Sequence, residues 1–463
     1  MRRLTPPRTI TTLALLVALC ACGRLNFDAE NGDGSSDGDG GVAFSGPASL
    51  TLLDPGGPIQ ARSIVFHNPD GSIAGIEQTG PSGIATHDVS ADGMITITGV
   101  INSLPGGSGG SSTRLYTIMG VQPGDSLVLG RTEDPWDIVG AVDVTLPGPV
   151  AGAAAYGVDI GCDQSFDADP AKVHSLELYP QCFRGATTFD VIAYAVDGND
   201  NLLQFAAVKN VSVINNSLVK VAIPAWTSGT VTTAMNLGNA PATAGWADVK
   251  FDAVAGGVSF YADSDGDGFD NGSPASLSFD LPSGWADGIE YLLCVYHQAQ
   301  GGTPAPDSIS YIFHRQSGVP AQLDHDLSTL LLPVISSAQL DAAAAPRATM
   351  AFTPDGDLSA ADGGLAVISW EDAQRNLYEW WIMFPPGQTD IMTPELPDFL
   401  ADHRPSPSSQ FRPIKVAVVD GDFIDGYDDM RNAYGFNFVL GEDENRDSDW
   451  LLRASSGPGG FFE

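Results

Sequence analysis

The 463-residue chain carries 57 Asp and Glu against 21 Lys and Arg, which gives a formal net charge of −36. Such a charge repels phosphate backbones, so nucleic acid is excluded as a partner. The length exceeds what one hydrophobic core supports and predicts roughly three or four domains. The 53 glycines and 32 prolines favour short elements joined by turns.

The N-terminus has the pattern of an export signal. Arg2, Arg3 and Arg8 precede an apolar stretch from Ile10 to Leu19. This stretch has the length of a signal-peptide core and is too short to cross roughly 30 Å of hydrocarbon. Residues 1–22 are therefore predicted to be a signal peptide.

Residues 19–23 (LCACG) resemble the lipobox of bacterial lipoproteins, with Leu19 at −3 and the small Ala21 at −1 before Cys22. The resemblance implies that Cys22 receives a diacylglycerol, that the signal is cleaved before it, and that acyl chains such as palmitate hold the protein to a membrane. Gly23, where inner-membrane lipoproteins have Asp, implies sorting to the outer membrane. The alternative is an ordinary secretory signal with incidental cysteines.

Residues 23–46 are rich in Gly, Asp and Ser. This composition cannot bury enough apolar surface to fold and predicts a flexible acidic linker. Its Asp-Gly repeats also permit an interpretation as calcium loops.

Beyond residue 46 no long segment has a 3.6-residue apolar period. Short alternating runs bounded by Gly, Pro, Asn and Asp recur instead, which is typical of β-sandwiches. The predicted fold class is all-β, a series of Ig-like or prealbumin-like sandwich domains. The predicted domains cover residues 47–147, 148–240, 241–345 and 346–463.

In the first predicted domain, strands alternate with Asp-Gly and Ser-Gly turns from Ala61 to Val100. Ile95 and Ile97 are predicted to share one face of a strand. The order of strands and turns resembles the carboxypeptidase-regulatory-like (transthyretin-like) sandwich. That resemblance implies a non-catalytic module on an exported protein.

The second predicted domain contains the cysteine pair. Export makes a disulfide between Cys162 and Cys182 plausible, and the strands 189–196 and 202–208 flank an Asp-Gly turn. In the third domain, Cys294 lies in an apolar strand and is predicted to be a buried free thiol.

The third predicted domain carries the sharpest motif, DSDGDGFDN at 263–271. Carboxylates at alternate positions followed by Gly suit a hard cation. The segment resembles the first half of an EF-hand loop and, more closely, a thrombospondin type 3 repeat. The resemblance implies Ca²⁺ ligands at Asp263, Asp265, Asp267, the Phe269 carbonyl and Asn271. Pro274 replaces the bidentate Glu of an EF-hand, so we expect weak binding, and an unoccupied acidic hairpin loop is the alternative.

The fourth predicted domain pairs the strands 365–370 and 377–384 and resembles fibronectin type III or Ig-like sandwiches. Tyr378, Trp380, Ile382 and Phe384 share one face of a strand that is apolar on both sides. One interpretation is a central sandwich strand. The other is an exposed aromatic platform that stacks on sugars.

No catalytic set emerges from the remaining motifs. The sequence GGSGG at 106–110 formally matches a nucleophile elbow, but no helical pattern follows it. The histidines are dispersed, and phosphate-binding and dinucleotide-binding fingerprints are absent from the sequence. The acidic residues between Asp420 and Asp429 are interpreted as a solvated loop.

These patterns predict a non-enzymatic surface lipoprotein that acts as a binding or structural module at the cell envelope. Its expected partners are the membrane, through the lipid anchor, and a glycan, matrix or envelope protein. Two other possibilities are a mere spacer and a polysaccharide or peptide hydrolase. The hydrolase would require two carboxyl groups about 5–10 Å apart in a cleft.

Overall fold

The computed structural model describes residues 45–99, 113–130, 138–183, 187–198, 202–213, 217–256, 258–269, 274–282, 284–298, 308–341, 347–372, 374–405, 409–434 and 449–458. The predicted signal peptide with Cys22, most of the predicted linker, the segment 106–110 and Asn271 lie outside the described residues. Within the described ranges, none of the helices has both the length and the apolar character needed to cross a membrane.

The strands form four successive groups, which we call units I to IV. Unit I contains β1 (Ser45–Asp54), β2 (Gly57–Pro58), β3 (Ser63–His67), β4 (Ile73–Gln78), β5 (Ile84–Ser90), β6 (Gly93–Thr98), β7 (Thr113–Val121) and β8 (Ser126–Leu129). Unit II contains β9 (Gly140–Thr145), β10 (Ala155–Asp159), β11 (Gln164–Asp167), β12 (Val173–Leu178), β13 (Thr188–Val196), β14 (Leu202–Ser212) and β15 (Leu218–Ala222).

Unit III contains β16 (Thr230–Gly238), β17 (Ala244–Ala255), β18 (Val258–Gly268), β19 (Ala275–Pro282), β20 (Gly288–His297), β21 (Ser308–Ser317) and β22 (Gln322–Asp326), followed by helix α1 (Leu327–Leu330). Unit IV contains β23 (Ile335–Asp341), β24 (Thr349–Pro354), β25 (Gly363–Glu371), β26 (Leu377–Phe384), β27 (Asp390–Met392), β28 (Gln410–Phe411), β29 (Lys415–Gly421) and β30 (Trp450–Ser456). Helix α2 (Gly426–Asp429) and the π-helical turn Met430–Tyr434 lie between β29 and β30.

Units I, II and III share one topology. In each, the first strand pairs antiparallel with a middle strand and parallel with the last strand, as β9 does with β12 and β15. The other strands form a four-stranded sheet, such as β11-β10-β13-β14. Unit IV follows the same order with β24 as its first strand. The difference is that β23 pairs antiparallel with β24, where the other units have a parallel last strand. The chain therefore repeats one sandwich plan along its length.

Side-chain alternation explains why the paired sheets pack together. On β17, Ala247, Val249, Phe251 and Ala253 are buried, whereas the residues between them point to the other face of the sheet. Their buried side chains meet those of β16, β19 and β20 in one hydrophobic cluster. Comparable clusters lie between the sheets of the other units. The all-β, serial sandwich fold predicted from the sequence is confirmed.

The four-stranded sheets of units III, IV and I join edge to edge and, together with β28 beside β25, form one 13-stranded sheet. Strand β21 pairs antiparallel with β30, and β26 pairs parallel with β7. Residues predicted to belong to three separate domains thus share one hydrogen-bonded sheet. The proposed domain boundaries stay a prediction.

Polar side chains fix the register where β7 meets β26. The Arg114 Nε donates to Glu379 Oε2 at 2.8 Å, and both side chains are largely buried. Trp380 Nε1 donates to Thr117 Oγ1 at 2.8 Å. Because buried polar groups are costly without partners, a shifted register would be penalised.

The predicted disulfide between Cys162 and Cys182 is confirmed, with their Cα atoms 5.1 Å apart. Cys182 lies in the core of unit II. The predicted hairpin of this unit is also present, because β13 pairs with β14. Cys294 is not part of a disulfide and is half-buried, rather than buried as predicted.

Candidate binding groove on unit III

The candidate site is a cavity of about 430 Å³ on the face of β17, β18 and β20 that points away from the core of unit III. It lies there because alternate residues of these strands point outward. Asp248 and Lys250 come from β17, and Ser264 and Gly266 lie opposite them on β18. Leu292 and Cys294 of β20 supply apolar surface. Polar edges and an apolar floor are the usual composition of a small-molecule site.

Trp246 is 44% exposed and contacts two residues that line this cavity, Asp248 and Gly266. Its indole lies over two glycines of the neighbouring strand: a Cβ on Gly266 would lie 3.0 Å from Trp246 Cζ2, and one on Gly268 would lie 3.7 Å from Cε3. Glycine at these positions therefore lets the ring approach the backbone closely. The Trp246 Nε1 donates to the Asp248 carboxylate, which fixes the ring. An aromatic ring that covers a glycine of the neighbouring strand also stabilises the sheet, so Trp246 has a structural role as well.

Charges of both signs surround the groove. Asp248 and Lys250 are exposed, and the Lys250 Nζ lies 3.4 Å from the Oδ2 of the more buried Asp252. Asp265 also lines the cavity, but its Oδ2 accepts a hydrogen bond from the Ser278 backbone of β19. Its carboxylate therefore faces the opposite side of β18 from the groove. Asp248, which holds Trp246, is the carboxylate on the groove side among the lining residues that the structure describes.

The predicted calcium ligands lie on a strand rather than in a loop. Asp263, Asp265 and Asp267 belong to β18, where alternation places them on one face. The Oδ2 of Asp263 accepts from the Asp280 backbone at 3.1 Å, as that of Asp265 does from Ser278 at 3.2 Å. These carboxylates thus fasten β18 to the edge of β19.

The remaining predicted ligands do not complete a cage within the described chain. The Phe269 side chain is buried in the core of unit III, and Asn271 lies outside the described residues. In the described part of the chain, no three His, Cys, Asp or Glu side chains are arranged to hold a metal ion. Weak Ca²⁺ binding by this segment stays a prediction.

The aromatic strand of unit IV is a central sandwich strand. Trp380, Ile382, Met383 and Phe384 are at most 1% exposed, so the strand is covered on both faces. The interpretation as an exposed sugar platform is wrong for these residues, because the sheet of β23, β24 and β27 covers one face and unit I lies beside the other.

Sequence reasoning missed Trp246, although a signal for it exists. The buried face of β17 contains Val249 and Phe251, and the opposite face contains Asp248 and Lys250. Trp246 lies on the same face as these charged residues. An aromatic side chain in the polar phase of an amphipathic strand indicates an exposed ring.

The chain matches no family model and no curated protein. Among solved structures, it is similar to a leucine-rich repeat protein from Bacteroides thetaiotaomicron at 15% identity and a TM-score of 0.16, over 41% of this chain and 26% of that one. A variant of the shaft pilin SpaA from Lactobacillus rhamnosus GG aligns at 9% identity and a TM-score of 0.14, over 39% of this chain and 98% of the pilin.

A third similar structure is a Ca²⁺-stabilised adhesin with which an Antarctic bacterium binds ice. It aligns at 10% identity and a TM-score of 0.13, over 82% of this chain and 96% of the adhesin. The chain spans only about a quarter of the leucine-rich repeat protein, 26%. Because all three TM-scores are low, the functional argument below rests on the geometry of unit III.

Proposed function

We propose that the protein is a non-enzymatic surface lipoprotein that binds a glycan in the groove of unit III. The exposed, fixed indole of Trp246 beside a cavity with polar edges carries this proposal. A flat ring offers apolar contact to the C–H face of a pyranose at little entropic cost, because hydrogen bonding to Asp248 already fixes it. Asp248, Lys250 and Ser264 supply donors and acceptors for sugar hydroxyls.

The charge of the protein narrows the ligand class. A net charge of −36 disfavours uronic-acid-rich or sulfated chains. A neutral glycan is the ligand that this surface accepts best. A binding role also fits the groove better than hydrolysis does, because Asp248 and Asp265 point to opposite sides of β18 and do not form a pair across a cleft.

Trp246→Ala is expected to abolish most of the glycan binding. Truncating a central aromatic anchor of an interface typically costs about 2 kcal/mol or more, which corresponds to about a 30-fold rise in Kd. The measurement is a glycan array with the full-length protein in detergent, followed by titration calorimetry with the best ligand. Trp246→Phe keeps a ring but loses the bond to Asp248, and we expect intermediate affinity.

Phe166→Ala provides the matched control, because Phe166 is 52% exposed on β11 of unit II and does not line the groove. It should leave glycan binding unchanged. If Trp246→Ala retains the glycan profile and affinity of the wild type, the groove is not the binding site.

The proposed location is the outer membrane, with Cys22 as the anchor. Its support is the sequence LCACG at 19–23. One acyl chain attaches a protein only marginally, whereas two or three give lasting attachment. We expect Cys22→Ser to prevent acylation, so that the protein either keeps its signal and has a higher apparent mass or, if the signal is cleaved elsewhere, moves into the soluble envelope fraction. A variant that remains in the membrane fraction at its original size would refute the anchor.

A further inference from the structure

A tyrosine and two histidines meet between the sheets of unit III, on the other face of β20 from the groove. The Tyr291 hydroxyl lies 2.7 Å from His314 Nδ1 and 2.7 Å from His325 Nε2. Tyr291 and His314 are directly opposed on β20 and β21, whereas His325 comes from β22 in the other sheet. Donor atoms from both sheets of the sandwich therefore converge on one point.

Hydrogen bonding accounts for both contacts when the two imidazoles take opposite roles. The hydroxyl donates one proton, so it satisfies both ring nitrogens only when one imidazole donates to it and the other accepts. Tyr291 is 2% exposed, while both histidines are only partly covered, which leaves them accessible from the side. A ring nitrogen of each histidine faces the same Tyr291 oxygen. Neutral imidazole is the form that ligates metals.

We infer that Tyr291, His314 and His325 form a binding site for a divalent transition-metal cation, for which Zn²⁺ is the probe. Imidazole nitrogens are preferred ligands of such cations. Around a tetrahedral ion with bonds of about 2.0–2.1 Å, donor atoms lie about 3.3 Å apart. The hydroxyl-to-nitrogen distances of 2.7 Å therefore need to widen by about 0.6 Å.

Binding requires the phenolic proton to leave for solvent as the oxygen coordinates the cation. Burial raises the pKa of the Tyr291 hydroxyl well above its ordinary value, and the charge of the cation offsets this effect. Two neutral imidazoles and one phenolate leave a single positive charge on the complex. Asp422 and Asp449 act electrostatically on His314, and Asp324 acts on His325, so acidic groups lie near enough to balance that charge. A fourth position stays open for water.

The site would link the two sheets of unit III. The ion would bridge β20 and β21 to β22, which otherwise pairs only with β16 among the described strands. A ligand that binds the folded state alone stabilises it in proportion to the logarithm of its concentration over Kd. Zn²⁺ should therefore raise the melting temperature of the protein.

The test is calorimetric titration of the full-length protein with ZnCl₂, in excess CaCl₂ so that surface carboxylates do not contribute. We expect saturation at one tight site, which His314→Gln and His325→Gln each weaken by at least about 10-fold. His87→Gln, which alters a histidine paired with Glu77 in unit I, is the matched control and should bind as the wild type does.

A second readout addresses the tyrosine. With Cu²⁺, coordination by a phenolate gives a visible charge-transfer band, which should vanish in Tyr291→Phe while copper remains bound by the histidines. The phenyl ring keeps the stacking on Phe251, so this variant should fold. Circular dichroism and metal-free melting confirm the fold of each variant. Wild-type Zn²⁺ affinity in the folded His314→Gln/His325→Gln double variant, or the absence of saturable Zn²⁺ binding in the wild type, would overturn the inference.

Discussion

Arg431→Met is expected to lower the free energy of unfolding by about 3–5 kcal/mol, which is typical when one partner of a buried ion pair is removed. The Arg431 side chain is 1% exposed. Its Nη1 donates to Asp125 Oδ2 at 2.5 Å and to the Gly120 carbonyl at 2.6 Å, and its Nη2 donates to Asp125 Oδ1 at 3.2 Å. Met fills the space of the stem but leaves the Asp125 carboxylate with its main charged partner gone.

This contact joins parts of the chain 306 residues apart, because Arg431 follows α2 in unit IV and Asp125 precedes β8 in unit I. Tyr427 strengthens the same junction by donating its hydroxyl proton to the Met119 carbonyl at 2.9 Å. Burial already raises the pKa of Asp125 even with the guanidinium present. Loss of the guanidinium should therefore leave a carboxyl that is costly to ionise.

Urea denaturation at pH 7 measures the effect. Asp428→Asn is the matched control, since Asp428 also accepts from Arg431 but is 78% exposed. An exposed partner of this kind contributes about 0–1 kcal/mol. The double variant Arg431→Met/Asp125→Asn should be more stable than the single Arg431→Met, because the unpaired charge is removed too. A change below about 1 kcal/mol for Arg431→Met would show that the junction does not depend on this pair.

Local patterns were predictable from the sequence because strand alternation and turn residues act over a few positions. The pairing of β13 with β14 and of β25 with β26 follows from adjacent apolar runs separated by turn residues. The disulfide followed from two cysteines in a chain that the sequence predicts to be exported. These features depend on neighbours in sequence.

Pairings between distant edges were not predictable. The alternation of apolar and polar residues in β7 and β26 does not reveal their parallel pairing. A period of two residues determines which face of a strand is buried, but not which strand lies beside it. For the acidic run near Asp428, the sequence predicts a solvated loop. In the structure, Arg431, three positions later, donates hydrogen bonds both to Asp428 and to Asp125 of unit I. Composition cannot identify such a partner, because the partner lies in another sheet.

The Asp263 motif shows a similar limit. Alternating carboxylates suit both a cation-binding loop and one face of a strand, because in both structures the side chains of every second residue point the same way. The structure places them on β18 beside the β19 amides. The sequence alone therefore does not tell whether these carboxylates accept hydrogen bonds from backbone amides or bind a cation, whereas the fold does.

Asp252→Asn is expected to stabilise the protein above pH 7 by about 2–3 kcal/mol. The Asp252 side chain is 14% exposed, and among the residues that the structure describes its Oδ1 has no hydrogen-bond partner. Burial raises the pKa of this carboxyl from 3.8 to about 6, and the nearby Glu290 adds to the rise while Lys250 opposes it. The folded state therefore holds the proton more tightly than the unfolded state does.

The sign of the pH dependence follows from that difference. Between about pH 4 and pH 6 the unfolded chain releases the proton first, so stability falls as pH rises, and the full penalty persists above pH 6. Asn carries no charge, so the variant should match the wild type near pH 4 and exceed it at pH 8 in denaturation experiments at both values. Asp324→Asn is the opposite control, because Asn236 and Gln322 lower the pKa of that exposed carboxyl, and it should give no gain at pH 8. Equal stability of Asp252→Asn and the wild type at pH 8 would mean that Asp252 is ionised in the fold without cost.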